Sequence, residues 1–354
     1  MKNVSIFFNG AYQGNPEEYP RQVDRLRKLG DRLKSYEAKP DFVPVYFRGE
    51  TPEQVHRDIT GQVRKNIERT AGTHKIFFGG DGFAGAMVNA VGKLKDAADE
   101  PGLKDAAGID EHPIMVAKGG SLNLFSKHLG SDHDDALETF VREPDAVRSV
   151  QARRRQLTIT KDFLGDDPLG RFSQTYPFAL FAGTGTDATM VKINEEMSRA
   201  RHWALNVAGA TIQGVKNIWF QDGKFRLDTL VTIPYFGLMR FPKHVDTLAD
   251  EAFYRLQSSG RNALETSLIM LGGHVAMSNP LTAEMFLSSG QTLYQVEKVP
   301  SVQGTTVDAN CPDGLCFYTD GFPQIFPLGH GEKAAVSATT VGASGVRMAS
   351  FHGQ

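Results

Sequence analysis

Lys75-Ile76-Phe77-Phe78-Gly79-Gly80-Asp81-Gly82-Phe83 is the stretch that decides the fold. A short apolar run of β type stops at three glycines set around one carboxylate. The apolar positions that follow, Ala86, Val88, Val91 and Leu94, have the spacing of a helix. Glycines past a buried strand let backbone N–H groups close on a bound anion with no Cβ in the way. The start of the next helix adds unpaired donors and partial positive charge. An aspartate inside such a turn can organise a metal ion or take a proton from a hydroxyl. Strand, glycine turn and helix together imply phosphate handling.

Working outward, residues 4–8, 42–47 and 114–117 are further apolar runs of strand length, alternating with amphipathic stretches. The clearest of these opens at Thr51-Pro52-Glu53-Gln54, an N-cap, a proline at the first helical position and a capping-box glutamine. It continues with Val55, Ile59, Val63 and Ile67 on one face. Such alternation predicts a mostly parallel sheet covered by helices, with ligands beyond the carboxyl ends of its strands.

Two more turns are expected at that edge. Residues 114–117 run into Lys118-Gly119-Gly120-Ser121-Leu122-Asn123 and then a helical stretch. Ser121 also reads as a plain N-cap and Asn123 as a solvated amide. The first strand ends in Asn9-Gly10-Ala11-Tyr12-Gln13-Gly14-Asn15. Three phosphate-type turns in one domain favour a nucleotide site.

After Arg153-Arg154-Arg155, read as solvated linker charge, strand-like runs follow one another at 156–160, 177–182, 217–220, 224–233 and 292–299. Asp222-Gly223 is a hairpin signal, and a helix is expected near 188–201. The second half is therefore β-rich. Gly183-Thr184-Gly185-Thr186-Asp187-Ala188 fits a dinucleotide fingerprint, but residues 197–221 hold no Asp or Glu to take the ribose. A P-loop, a G-x-S-x-G elbow and H-E-x-x-H are all absent from the sequence.

Bulk composition narrows the classes further. The 354 residues carry a net charge of −2, which gives no overall electrostatic footprint for nucleic acid. No apolar run is long enough to span a bilayer. The first residues enter a strand with no signal-peptide pattern, so a cytoplasmic protein is expected. Cys311 and Cys316 read as two ordinary reduced thiols.

With these motifs in order, the chain resembles the diacylglycerol kinase catalytic family, which includes bacterial lipid kinases and the sphingosine and ceramide kinases. The order is Asn9…Gly14, then Gly79-Gly80-Asp81-Gly82-Phe83, then Gly120-Ser121-Leu122-Asn123, then Gly185-Thr186-Asp187-Ala188, then Asp320-Gly321-Phe322. Pro234-Tyr235-Phe236-Gly237 through Phe241-Pro242 is similar to a segment of bacterial members. The resemblance implies an α/β domain like that of NAD kinases and diacylglycerol kinases over 1–150 and a β-sandwich over 151–325. It also implies a segment, 326–354, that returns to the first domain, and ATP in the cleft between the two. It further implies an ATP- and Mg²⁺-dependent transfer of phosphate to the hydroxyl of a lipid or lipid-like alcohol.

By the same resemblance, Asn9, Gly79, Gly80, Gly82, Gly120, Ser121 and Asn123 hold the nucleotide. Asp81 and Asp320 are the catalytic carboxylates, and Asp187 faces the acceptor. Peripheral contact with the inner face of a membrane is implied, and a homodimer is held open. The chain departs from the pattern in three places. Phe322 stands where the family's Asp-Gly-Glu has its second carboxylate, Phe83 where threonine is common, and Leu124 where many bacterial members have aspartate. A nucleotide- or lipid-binding homologue without turnover, or an NAD kinase-like enzyme with a soluble acceptor, is the alternative.

Overall fold

A computed structural model describes residues 2–10, 18–47, 52–100, 108–119, 123–162, 171–184, 228–233, 235–236, 239–240, 247–258, 294–309, 314–320, 322–329 and 332–351. The chain divides into two compact units. One comprises Met1–Arg154 with Val341–Gln354, the other Arg155–Thr340.

The first unit alternates strand and helix: β1 (Lys2–Asn9), α1 (Glu18–Ser35), β2 (Ala38–Val45), α2 (Pro52–Lys65), α3 (Ile67–Thr70), β3 (His74–Gly79), α4 (Asp81–Asp96), β4 (Met115–Lys118), α5 (Leu124–Leu129) and α6 (Asp134–Arg142). Its strands lie in the order β2-β1-β3-β4, all parallel. Side chains alternate across a strand. Val4, Ile6, Ile76, Phe78, Met115 and Ala117 therefore share one face, where they pack with Leu33 of α1 and Leu137 and Phe140 of α6. Phe7 and Phe77 point to the other face, ring edge to ring face at 6.0 Å. Both faces are covered, which is why β1 and β3 read as near-continuous apolar runs.

The chain's last strand closes the far side of this unit. Ile114 and Met348 form a parallel bridge, with Ile114 N–H donating to Arg347 C=O and Ala349 N–H to Ile114 C=O, both at 2.8 Å. Asp110 fixes the same segment. Its buried carboxylate accepts from Lys95 Nζ at 2.7 Å and from Arg347 N–H at 2.6 Å. Gly342 lies over the Asp96–Arg154 ion pair at a φ of 79°, where a side chain would collide with Asp96.

The arginine run is not linker charge. It lies within β5 (Arg148–Asp162), where Arg154 pairs with Asp96 and Arg155 is wholly buried in the second unit. Arg155 Nη2 donates to the carbonyls of Thr247 at 2.8 Å and Asp250 at 3.0 Å. A guanidinium with several fixed donors can be buried when backbone carbonyls surround it.

The remaining strands are β6 (Arg171–Phe178), β7 (Phe181–Thr184), β8 (Asp228–Val231), β9 (Tyr235–Phe236), β10 (Met239–Arg240), β11 (Phe253–Ser258), β12 (Tyr294–Val299), β13 (Ser301–Asp308), β14 (Leu315–Thr319), β15 (Phe322–Phe326) and β16 (Lys333–Ser350). Six form a sheet in the order β12-β11-β8-β7-β14-β15, and four form a second sheet, β13-β16-β5-β6. Leu157, Ile159, Phe178 and Val336 of the second sheet meet Leu230, Phe253, Phe317 and Phe326 of the first in one core. That is the expected β-sandwich. The helix expected near 188–201 and the hairpin at Asp222-Gly223 lie outside the described residues.

The first unit should lose stability in mild acid. His74 stacks on His112 at 4.3 Å and sets its ring against Phe140. Burial first, then His112, Lys2 and Lys75, hold its pKa down at about 4 against a usual 6.5. Burial and Lys93 do the same to His56. Between those values the unfolded chain binds more protons than the folded one. The stabilisation is therefore complete above pH 6.5 and is lost as pH falls toward 4, at roughly 1.4 kcal/mol per pH unit for each histidine. Denaturant unfolding of wild type and His74→Gln across that window checks this, the variant showing the shallower slope.

Candidate active site

The carboxyl ends of β1, β3 and β4 form one edge. Phe8 pairs level with Phe78, so Asn9 stands beside Gly79. Gly79 pairs level with Lys118, which places Gly119 one residue further along the same edge. Beyond this edge α4 begins. Its N-cap Gly80 has extended backbone and no capping side chain, so the first-turn N–H groups of a 16-residue helix, Gly82 among them, stay open to an acceptor.

Sterics explain the glycines. A Cβ on Gly79 would lie 2.6 Å from the Phe83 ring, which stacks on Phe47 at 5.8 Å. A Cβ on Gly119 would lie 2.8 Å from Gly79 N and 2.9 Å from Gly79 Cα. Two backbones thus touch where β3 and β4 end. Gly119→Ala has nowhere to relax. It is expected to cost the first unit about 2 kcal/mol. Thermal unfolding measures the loss.

Asp81 and Asn123 tie the two turns together by exchanging roles. Asn123 is the N-cap of α5, but its backbone is left-handed (φ 52°, ψ 40°) and its side chain makes no cap bond. Instead its Oδ1 accepts from Gly119 N–H at 3.0 Å, a donor shared with Gly79 C=O at 3.1 Å. Asp81, from the neighbouring turn, caps α5 in its place. Oδ1 accepts from Phe125 N–H at 2.8 Å and Oδ2 from Leu124 N–H at 3.1 Å. Burial pushes the Asp81 pKa above the usual carboxylate value, and the two N–H groups and the Lys127 charge only partly offset it. From the other side, α1 reaches the knot. Gln22 Nε2 donates to Gly119 C=O at 3.1 Å and Arg25 Nη1 at 3.4 Å.

The structure therefore brings Asn9, Gly79, Gly80, Asp81, Gly82 and Asn123 to one edge of one sheet. Gly120, Ser121 and Asp187 lie outside the described residues. Asp320 sits in the second unit, directly after Thr319, which pairs with Phe322 at the end of the β14–β15 hairpin. The residue is 2% exposed, and its carboxylate accepts from the N–H groups of Ala179 and Leu180, each at 2.8 Å, and Phe181 at 3.2 Å. That is the work of a turn brace. Gln22 and Arg25 went unread in the sequence. The signal was there for Gln22, a polar residue in register with the apolar stripe Leu26, Leu29 and Leu33.

The donor set fits a polyphosphate: open N–H groups at a helix start, glycine backbones and a guanidinium nearby. Among the described residues no group of three His, Cys, Asp or Glu side chains is poised to hold a metal. A Mg²⁺ here would be held chiefly by the phosphates themselves, with Asp81 the nearest candidate carboxylate.

No protein-family model matches the chain, and no curated protein sequence does. Among solved structures it is similar to a diacylglycerol kinase from Bacillus anthracis, at 13% identity and a TM-score of 0.45, covering 99% of this chain and 97% of that one. A second structure from that organism, provisionally named for the same activity, matches at 15% identity and a TM-score of 0.44, covering 96% and 94%. At such scores the likeness carries no inference about activity.

Proposed function

We propose that the protein is an ATP-dependent kinase that transfers the γ-phosphate to the hydroxyl of a lipid or lipid-like alcohol. The observation that supports this most is the knot of Gly79, Asp81, Gly119 and Asn123. It holds two glycine turns and an open helix start together at the carboxyl edge of a parallel sheet. When bound, Mg·ATP supplies the phosphoryl group and neutralises its charge. The backbone N–H groups of Gly80 and Gly82 and the side chains of Asn9 and Asn123 would line the phosphates, with Gly120 and Ser121 continuing the cradle.

Asp81 is the proposed base. A carboxylate has about four lone-pair sites, and two N–H bonds leave it room for a hydroxyl. Its raised pKa brings it nearer the range useful for proton transfer. Asp187 is proposed to brace the acceptor side. Asp320 is proposed to act through the fold, since its oxygens already serve three backbone N–H groups. Among the described residues no helix is long and apolar enough to cross a membrane, so a lipid acceptor would be met by peripheral contact.

The test is transfer of labelled γ-phosphate from Mg·ATP to diacylglycerols, sphingoid bases, ceramides and lysolipids in neutral detergent micelles, with NAD and soluble alcohols alongside. A labelled lipid supports the reading, and label on NAD or a soluble alcohol alone replaces it with an enzyme of soluble acceptor. The second reading is a nucleotide- or lipid-binding protein without turnover, favoured by Phe322, which places an aromatic strand residue where the family's second carboxylate would be. ATP binding with no label on any acceptor would establish it.

A further inference from the structure

Both polar groups of Gly119 are engaged, by partners from β3, α5 and α1. Its N–H donates to Gly79 C=O at 3.1 Å and to Asn123 Oδ1 at 3.0 Å. Its C=O accepts from Gln22 Nε2 at 3.1 Å and, over a longer 3.4 Å, from Arg25 Nη1. A carbonyl oxygen has lone pairs for both donors.

Gln22 is the unusual member of this set. It is 6% exposed and lies one turn before Leu26, on the stripe of α1 that Leu29 and Leu33 continue. An apolar side chain at that position would pack without needing a partner, whereas a buried amide is costly unless it is hydrogen-bonded. The amide finds its partner at Gly119, 97 positions away. Arg25 follows on the next turn, is exposed, and spends a donor on the same oxygen.

An unclaimed carbonyl at this edge would work against a phosphate. Its oxygen carries partial negative charge, while the open N–H groups at the start of α4 act through partial positive charge. A trans peptide also sets its N–H opposite its C=O. Drawing the carbonyl onto α1 therefore turns the donor side of that peptide away from α1.

We propose that Gln22 is a positioning residue for anion binding. By holding the Gly119 carbonyl against α1, with Arg25 as second donor, it keeps an acceptor out of the phosphate cradle and presents the donor side of the same peptide. This deepens the nucleotide reading and rests on it for the class of ligand, a polyphosphate chain. Gln22 itself touches the turn and not the ligand.

The full chain would be titrated calorimetrically with Mg·ATP and with inorganic triphosphate, at a temperature where circular dichroism shows every variant folded. Gln22→Met keeps an unbranched side chain of similar size without the donor, and Gln22→Glu sets a carboxylate against the carbonyl. Affinity for both probes should fall roughly tenfold in Gln22→Met, where a buried acceptor loses its donor, and further in Gln22→Glu. Gln22 is uncharged, so the loss in Gln22→Met should persist at about 0.5 M salt, whereas the loss in Arg25→Met should shrink there. A glutamine that only packs α1 would give a lower unfolding temperature in Gln22→Met with unchanged affinity in the folded protein. That result would overturn the proposal, as would wild-type affinity in Gln22→Glu. Phosphotransfer by the same proteins keeps the two readings apart. Triphosphate binding that depends on Gln22, with no transfer to any acceptor, removes only the kinase. Transfer by the wild type with full affinity in Gln22→Met removes only the positioning role, and a wild type that binds neither probe removes both.

Discussion

Asp320→Ala is expected to destabilise the second unit by roughly 3–5 kcal/mol, the largest single-residue loss foreseen for this protein. Three backbone N–H groups, of Ala179, Leu180 and Phe181, point at its two oxygens from a buried turn. Alanine leaves all three without that acceptor, two of them in buried positions. Position 320 also sits at a φ of 48°, which aspartate tolerates and alanine resists. Asp320→Asn should cost about half as much, because its one carbonyl oxygen can serve only one side of the set. Denaturant unfolding followed by circular dichroism measures the series. If Asp320→Ala unfolds at the wild-type midpoint yet loses phosphotransfer, the carboxylate has a chemical role and the bracing account is wrong.

Asp320 also marks the limit of what the sequence conveyed. The family resemblance implies a catalytic role for the aspartate of Asp320-Gly321-Phe322. The same Asp-Gly pair is a hairpin signal, and in the structure Thr319 pairs with Phe322 across it. A two-residue turn and a catalytic loop cannot be told apart from three letters. The backbone groups that its carboxylate serves, at Ala179–Phe181, lie about 140 positions away. The arginine run also depends on distant partners. Three adjacent charges suggest solvent, but strand alternation turns Arg155 inward, where carbonyls from 247–252 receive it.

Features with a local cause were legible. The parallel sheet follows from apolar runs alternating with helical periodicity, and the Gly79–Gly82 turn follows from where one such run stops. The exchange between Asp81 and Asn123 was not legible. It depends on Asn123 adopting a left-handed backbone, which frees the α5 N–H groups for a carboxylate from another turn. Sequence spacing placed both residues at one edge but gave neither its partner.

That exchange makes Asp81→Asn the decisive substitution for the chemistry. Asparagine keeps one acceptor oxygen, so it can hold either Leu124 N–H or Phe125 N–H and should cost only about 1 kcal/mol of stability. Asp81→Ala loses both and should cost about 2 kcal/mol. If Asp81 served only to cap α5, activity would follow stability, and asparagine would rescue most of what alanine loses. If it takes the proton from the acceptor hydroxyl, asparagine should fall nearly as far as alanine, roughly 10²–10⁴-fold in kcat, with the KM for ATP little changed. The wild-type pH profile supplies an independent readout. Only the ionised carboxylate accepts a proton, so kcat/KM should fall as pH drops through the Asp81 pKa, and burial places that limb above the ordinary aspartate value. The raised pKa works against stability in the same window. The folded state binds more protons there than the unfolded chain, so Asp81 becomes less stabilising as pH rises through it. A site that gives up stability at the pH where it gains activity is the pattern expected of a functional carboxylate, and an asparagine variant with wild-type kcat would exclude that role.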